Sequence, residues 1–246
     1  MLTIQPQIVL TQERNMDEPK KAQRVINTLT GPWEKKHLPL WAQALPPWIN
    51  SDHLTILGIL AGFIIGAGYI LCRYSHWWLL LTNFGLLVHW YADSLDGTLA
   101  RIRHKERERY GYFVDHMSDA WTTLILCVSI GFSTMMQLDI ALFVAIGYLL
   151  MMVYAHVRAY THHDFVLSYG RFGPTEVRMV IALINFVLIF WNPVIYQQGS
   201  EVRTLLDAAG FTIGCIFLII FMTVGIREAI KLDRLDQASH ISNPPR

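Results

Sequence analysis

Hydrophobic and polar residues are laid out along this chain in long blocks. Six apolar blocks are long enough to cross a hydrocarbon core, which takes about 20 residues of helix. They are Leu54–Tyr74, Trp77–Ala100, Tyr112–Ser133, Leu138–Tyr160, Glu176–Ile195 and Leu205–Ile226. None shows the period-2 alternation of a half-buried strand, and in lipid only helices or closed barrels satisfy the backbone. The pattern predicts an all-α integral membrane protein with six transmembrane helices. It divides the chain into a leader, residues 1–53, a six-helix unit, 54–228, and a tail, 229–246. No internal repeat of the kind many transporters carry is visible.

The polar blocks set an orientation. The connection after the second apolar block, "RIRHKERERYG", holds Arg101, Arg103, Lys105, Arg107 and Arg109. The connection after the fourth adds Arg171 and Arg178, and the tail adds Arg227, Lys231 and Arg234. The other side shows little beyond Arg73 and Arg203. By the positive-inside rule both termini and the two basic connections face the cytoplasm. The leader mixes Lys and Arg with Trp33, Trp41 and Trp48, which suits an amphipathic segment lying at the membrane interface. It has no basic n-region followed by a long apolar core, so no cleaved signal peptide is expected.

Two local patterns mark the first block. Ser51 or Asp52 is placed to cap its N-terminus. Gly58, Gly62 and Gly66 repeat every four residues, which bares one helix face for close approach by a neighbour. Composition agrees with a membrane protein: of 246 residues 53% are hydrophobic and 16% charged, with a mean hydropathy of +0.33, against roughly 25% charged in a soluble domain. A net charge of +1 offers nothing to nucleic acid. Cys72, Cys127 and Cys215 lie in or beside apolar runs with no CxxC spacing, so neither a disulfide framework nor a zinc site is expected.

The charge that does not fit an apolar chain is "DSLDGTLARIRHKERERYGYFVDHMSD", residues 93–119. Asp93 and Asp96 are three apart and share a helix face; Asp115 and Asp119, four apart, share another. The loop between the pairs is short, so antiparallel neighbouring helices would bring both to one membrane level. Carboxylates at membrane depth mark a functional site, and several together repel unless protons or cations intervene. Hard oxygen donors select Mg²⁺ or Mn²⁺. Two such ions clamp an in-line displacement at phosphorus, so the cluster predicts a diphosphate ligand. Gly97 and Ala100 leave room against the backbone, and Arg101 ends the helix where a guanidinium can hold a phosphate.

"DSLDGTLAR" followed by "GYFVDHMSD" resembles the signature of the CDP-alcohol phosphotransferases, membrane enzymes of phospholipid synthesis. That pattern is D-x-x-D-G-x-x-A-R, a spacer, then G-x-x-x-D-x-x-x-D. Asp93, Asp96, Gly97, Ala100, Arg101, Gly111, Asp115 and Asp119 fill every fixed place. The spacer from Arg101 to Gly111 is nine residues, one more than the commonest form. Where many members carry P-N-x-x-T at the first helix, this chain reads "SDHLT", with Asp52 in place of Asn and Thr55 matching the Thr.

The resemblance implies a metal-dependent transfer of a phosphatidyl or phospho-alcohol group from a CDP-linked donor to an alcohol, releasing CMP. Asp93, Asp96 and Asp115 would hold the metals, with Asp119 sharing one and acting as general base. Asp93, Asp96, Gly97, Ala100, Arg101, Gly111, Asp52 and Thr55 would bind the CDP portion. It also implies a homodimer with its active site at the cytoplasmic face. Arg158, Arg171, Arg178 and His116 are candidate acceptor-binding residues. The donor expected is CDP-diacylglycerol with a small polar acceptor. The alternative is a choline- or ethanolamine-type enzyme with diacylglycerol as acceptor, for which the "DH" of Asp115 and His116 is reminiscent.

Other polar residues read as structural. His89 and His156, inside apolar blocks, are expected to bond neighbouring helices. His162 and His163 fall in a connection, and "GRFGPTEVR" reads as a helix start with Glu176 in its first turn. A membrane prenyltransferase would carry its aspartates on well-separated helices, whereas here they share one window and Asp207 stands alone on the far side. A cation or proton transporter is the rival of a different class; the missing repeat and the one-sided cluster count against it.

Overall fold

The computed structural model describes residues 28–162, 173–198 and 201–242. Its helices are α1 (Gly31–Ala44), α2 (Ser51–Leu71), α3 (Leu79–Ile102), α4 (Glu108–Gly131), α5 (Leu138–His162), α6 (Pro174–Phe190) and α7 (Leu205–Ser242). A 3₁₀ turn, His76–Trp78, leads into α3. The expected helices are present with moved ends. The cap of α2 is Asn50 rather than Ser51 or Asp52: its side chain accepts the His53 N–H at 3.0 Å while His53 Nδ1 accepts the Asn50 N–H at 3.1 Å, two helix-end donors satisfied reciprocally. That frees Ser51 and Asp52 for the partners described below.

The glycine face of α2 does what its spacing predicts. A Cβ at Gly58 would meet Ala92 of α3 at 3.7 Å; one at Gly62 would meet Thr122 Oγ1 of α4 at 3.2 Å; one at Gly66 would lie 2.7 Å from Ser129 Oγ. α2 is therefore the helix on which both α3 and α4 pack, with Ile65, Tyr69, Leu79 and Leu86 buried in the core between them. Polar groups deep in that core are paired, as an apolar surrounding requires. Tyr69 Oη donates to Asn185 Oδ1 at 3.0 Å, Asn185 Nδ2 to Asn83 Oδ1 at 2.9 Å, and Asn83 Nδ2 to the Ala182 carbonyl at 3.0 Å. This relay fastens α6 to α2 and α3. His89 of α3 likewise meets Thr122 Oγ1 of α4 at 3.2 Å, as expected, and Cys72, Cys127 and Cys215 are free.

Among the described residues, three segments are by length and composition apolar enough to cross a membrane: Ser51–Leu71, Leu138–Ala159 and Leu205–Gln237. The other expected spans fall on α3 and α4, which carry the aspartates and arginines, and on the 17-residue α6. The chain is a helical membrane protein, with one strand pair among the described residues. The fifth block was expected to run to Ile195, but α6 stops at Phe190 because Asn192 precedes Pro193, and the residue before a proline disfavours the helical region. Strands β1 (Val194–Gln198) and β2 (Glu201–Thr204) then pair antiparallel. At the other end α7 continues as helix through Ser242, where the sequence drew a separate tail. Asp207 caps the start of α7: it accepts the Thr204 N–H at 2.7 Å, the Thr204 hydroxyl at 3.2 Å and the Gln137 N–H at 2.6 Å.

The leader's helix α1 packs against α3. Trp33 and Trp41 of α1 pack on Trp90 with ring centroids 6.2 and 6.1 Å apart, and Trp41 also meets Tyr91. Leu38 and Ala42 share a small core with Leu54, Leu95 and Leu99. α1 is thereby part of the helical unit. Residues 1–27 of the leader lie outside the described residues.

Candidate active site

The site begins where α3 ends. The Lys105 N–H reaches the Ala100 carbonyl at 3.0 Å and the His104 N–H reaches the Arg101 carbonyl at 3.2 Å, the paired closure that usually places glycine after a helix. Here His104 takes that position at φ 52°, a backbone state that costs an L-residue about 1–2 kcal/mol. The closure reverses the chain within a few residues. Arg103 braces the turn by donating to the carbonyls of Leu45 and Pro46 at 3.0 Å, Pro47 at 3.3 Å, and Ile49. The connector from α1 to α2 is thus wrapped around one guanidinium.

Between α3 and α4, above α2, the aspartates converge. Asp93, Asp115 and Asp119 each present a carboxylate oxygen within 4.8 Å of the others. Asp96 is held slightly apart: Thr55 Oγ1 donates to its Oδ2 at 3.1 Å, the Gly97 N–H to its Oδ1 at 2.5 Å, and Ser51 Oγ to its carbonyl at 2.9 Å. The Asp93 and Asp115 carboxylates still act on it electrostatically. Arg178 of α6 completes the group, with Nη2 2.9 Å from Asp93 Oδ2 and 3.7 Å from Asp119 Oδ1.

This donor set fits a divalent metal. Its oxygens are all carboxylate, the choice of a hard cation, and the guanidinium already places a positive charge against two of the carboxylates. Asp93, Asp115 and Asp119 could hold an ion directly, with Asp96 positioned by α2 at the same mouth.

The remaining expected residues fall into separate places. Asp52 forms an ion pair with Arg107 at the surface, so its charge is met by a residue of the very loop it faces. Arg101 Nη2 donates to Thr98 Oγ1 at 3.1 Å. A Cβ on Gly97 would meet Arg101 Nη1 at 3.5 Å, and one on Gly111 would meet nothing within 4 Å; Gly111 is exposed and Ala100 half-buried. The three described candidate acceptor residues each have partners of their own. Arg178 belongs to the aspartates, and Arg158 Nε lies 3.8 Å from Glu228 Oε2 of α7. Arg171 lies outside the described residues. His116 Nδ1 donates to the Tyr112 carbonyl at 2.7 Å and is 3.8 Å from Asp115 Oδ2. Its ring packs on those of Tyr112 and His156, at 4.2 and 4.6 Å, while His156 Nδ1 bonds the Met152 carbonyl within its own helix.

Sequence reasoning missed the braces. Glu34 of α1 accepts from Thr175 Oγ1 at 2.7 Å and Trp90 Nε1 at 3.3 Å. Glu176, read as an ordinary helix-start residue, does accept the Gly173 N–H at 2.8 Å, but it also takes the Thr30 N–H and hydroxyl, both at 2.9 Å. The Glu34–Thr175 and Glu176–Thr30 pairs are more than a hundred positions apart in sequence, so no local pattern signals them.

Comparison with known proteins agrees with this geometry. The family model for CDP-alcohol phosphatidyltransferase matches residues 48–226, from the connector behind α1 into α7. Cholinephosphotransferase 1 of Gallus gallus is 25% identical over 191 residues, covering 72% of this chain and 56% of that protein. The chain thus spans little more than half the length of that relative. With the family match extending over well more than half of its length, the chain belongs to the CDP-alcohol phosphatidyltransferase family.

Proposed function

We propose that this protein transfers a phospho-alcohol or phosphatidyl group from a CDP-linked donor to an alcohol hydroxyl in phospholipid synthesis, releasing CMP. The observation that carries the reading is the convergence of Asp93, Asp115 and Asp119. Asp93, Asp96, Asp115 and Asp119 would hold Mg²⁺ or Mn²⁺, two ions in the family pattern. A bound ion supplies charge neutralisation on the diphosphate. The chain's own residues supply position and proton transfer. Asp119 lies deepest along α4 of its pair and takes the proton of the acceptor hydroxyl as general base. The acceptor oxygen bonds to the phosphorus bearing the transferred group, the phosphoanhydride bond breaks, and CMP leaves. Gly97, Ala100, Arg101 and Gly111 would form the CDP side, joined by Thr55, which donates to Asp96. α2 to α7 are the six crossings, with the cluster at the cytoplasmic face and a second copy completing a homodimer.

The donor is the finer question. A phosphorylated small acceptor needs a free basic group, yet among the described candidates Arg178 is engaged by aspartates and Arg158 lies beside Glu228. Together with the cholinephosphotransferase relative, this favours a CDP-linked amino alcohol as donor and diacylglycerol as acceptor. CMP release by the purified full-length protein in lipid tests both levels. CDP-choline and CDP-ethanolamine are offered with diacylglycerol; CDP-diacylglycerol is offered with serine, glycerol phosphate, inositol and inositol phosphate. Release that needs Mg²⁺ or Mn²⁺ and one acceptor, and stops with EDTA, supports the transferase. Release from CDP-diacylglycerol alone reverses the donor assignment. No release from any donor, with CDP unbound, removes the transferase reading.

A further inference from the structure

Arg178, which the sequence offers as a topology or acceptor-binding residue, sits among the aspartates instead. With 15% of its side chain exposed, it reaches Asp93 at 2.9 Å and Asp119 at 3.7 Å. It is aimed there from behind. Thr175 is tied to Glu34 at 2.7 Å, and Glu176 is tied to Thr30 by two bonds of 2.9 Å. These carboxylates fasten the first turn of α6 to α1, an element that precedes the family-matched residues. Further along, Asn83 fastens α6 to α3 through Ala182 and Asn185. The position of Arg178 is therefore set by contacts in which the aspartates take no part.

Three carboxylates with oxygens within 4.8 Å repel one another, and an opposite charge at this range favours their ionised form. A guanidinium is always charged and is more weakly hydrated than an ammonium, which suits it to a half-buried ion pair. It is also a cation in the space where a metal would bind, and it repels that metal.

We propose that Arg178 is the resident counter-cation of the acidic cluster. It keeps Asp93 and Asp119 together before a divalent ion enters and competes with that ion for both carboxylates. The Glu34 and Glu176 braces between α1 and α6 are positioning contacts that hold it there. This rests on the reading of the cluster as a divalent-cation site.

The test is direct Mn²⁺ binding to the full-length protein in lipid nanodiscs without nucleotide, read from the loss of the free-ion paramagnetic signal. Arg178→Gln is expected to bind Mn²⁺ roughly fivefold or more tightly than the unaltered protein, because a like charge has been removed from the site. Arg178→Lys keeps the charge and is expected to bind within about twofold of the unaltered protein. Glu34→Ala leaves the cluster intact and releases the brace; it is expected to tighten Mn²⁺ in the same direction by a smaller factor, and it decides the matter if Arg178→Gln does not fold. Mn²⁺ binding that is abolished by Asp115→Asn but unchanged or weaker in Arg178→Gln and Glu34→Ala overturns the counter-cation alone. Absence of Mn²⁺ binding in every form overturns it together with the metal site.

Discussion

The two ends of α4 treat their carboxylates in opposite ways. Beyond its C-terminal end, Asp207 is buried and its oxygens are met by two backbone N–H groups and a hydroxyl, while Asp139 is paired with Arg203 at 3.2–3.3 Å in the open. At its N-terminal end Asp115 and Asp119 face Asp93 across a gap, and Arg178 lies against two of the three. A carboxylate answered by its own turn is a brace. Carboxylates that face one another repel unless a cation or proton offsets them, and here a guanidinium stands against two of the three. The same residue type thus closes a turn at one end and, on the proposed reading, serves chemistry at the other.

Substitutions can break that contrast, and the largest effect is expected at the cluster. Asp119→Asn should lower CMP release by about 10²–10⁴-fold, the usual worth of a general base, with little change in thermal midpoint. An equal fall in midpoint would make Asp119 another brace. Next is the seam that brings α4 to α2. A methyl at Gly66 would sit 2.7 Å from Ser129 Oγ and 2.9 Å from Ile125 Cγ2, so Gly66→Ala should destabilise by about 1–3 kcal/mol through overpacking, seen in a detergent melt. Close behind is Asp207→Asn, in which one backbone donor would face an amide NH₂. About 1–2 kcal/mol of stability should be lost with CMP release per folded molecule unchanged; a change in turnover would erase the contrast between the two ends. The smallest effect belongs to Arg203→Gln. Its pair with Asp139 is exposed, and such pairs contribute about 0–1 kcal/mol, so a shift of several degrees in the same melt would show that this end depends on charge after all.

The sequence alone determined the helices and the faces of the aspartates, because both follow from local periodicity. Spacings of three and four put Asp93 with Asp96 and Asp115 with Asp119 whatever lies around them, and the glycine repeat of α2 declared a packing face in the same way. Its errors were also local: Asn50 took the cap from its neighbours by geometry at a single turn, and Pro193 ended α6 earlier than its apolar run suggested. Tertiary structure alone decided which charges meet. It drew Asp93 to Asp115 and Asp119, tied Asp96 to Thr55, gave Asp52 to Arg107, and turned Arg178 from the loop side into the cluster. It also recruited Glu34 and Thr30 of α1 to hold α6. Periodicity places a side chain on its own helix, whereas which helix stands opposite depends on how all of them pack, and that information is spread over residues far apart in the chain.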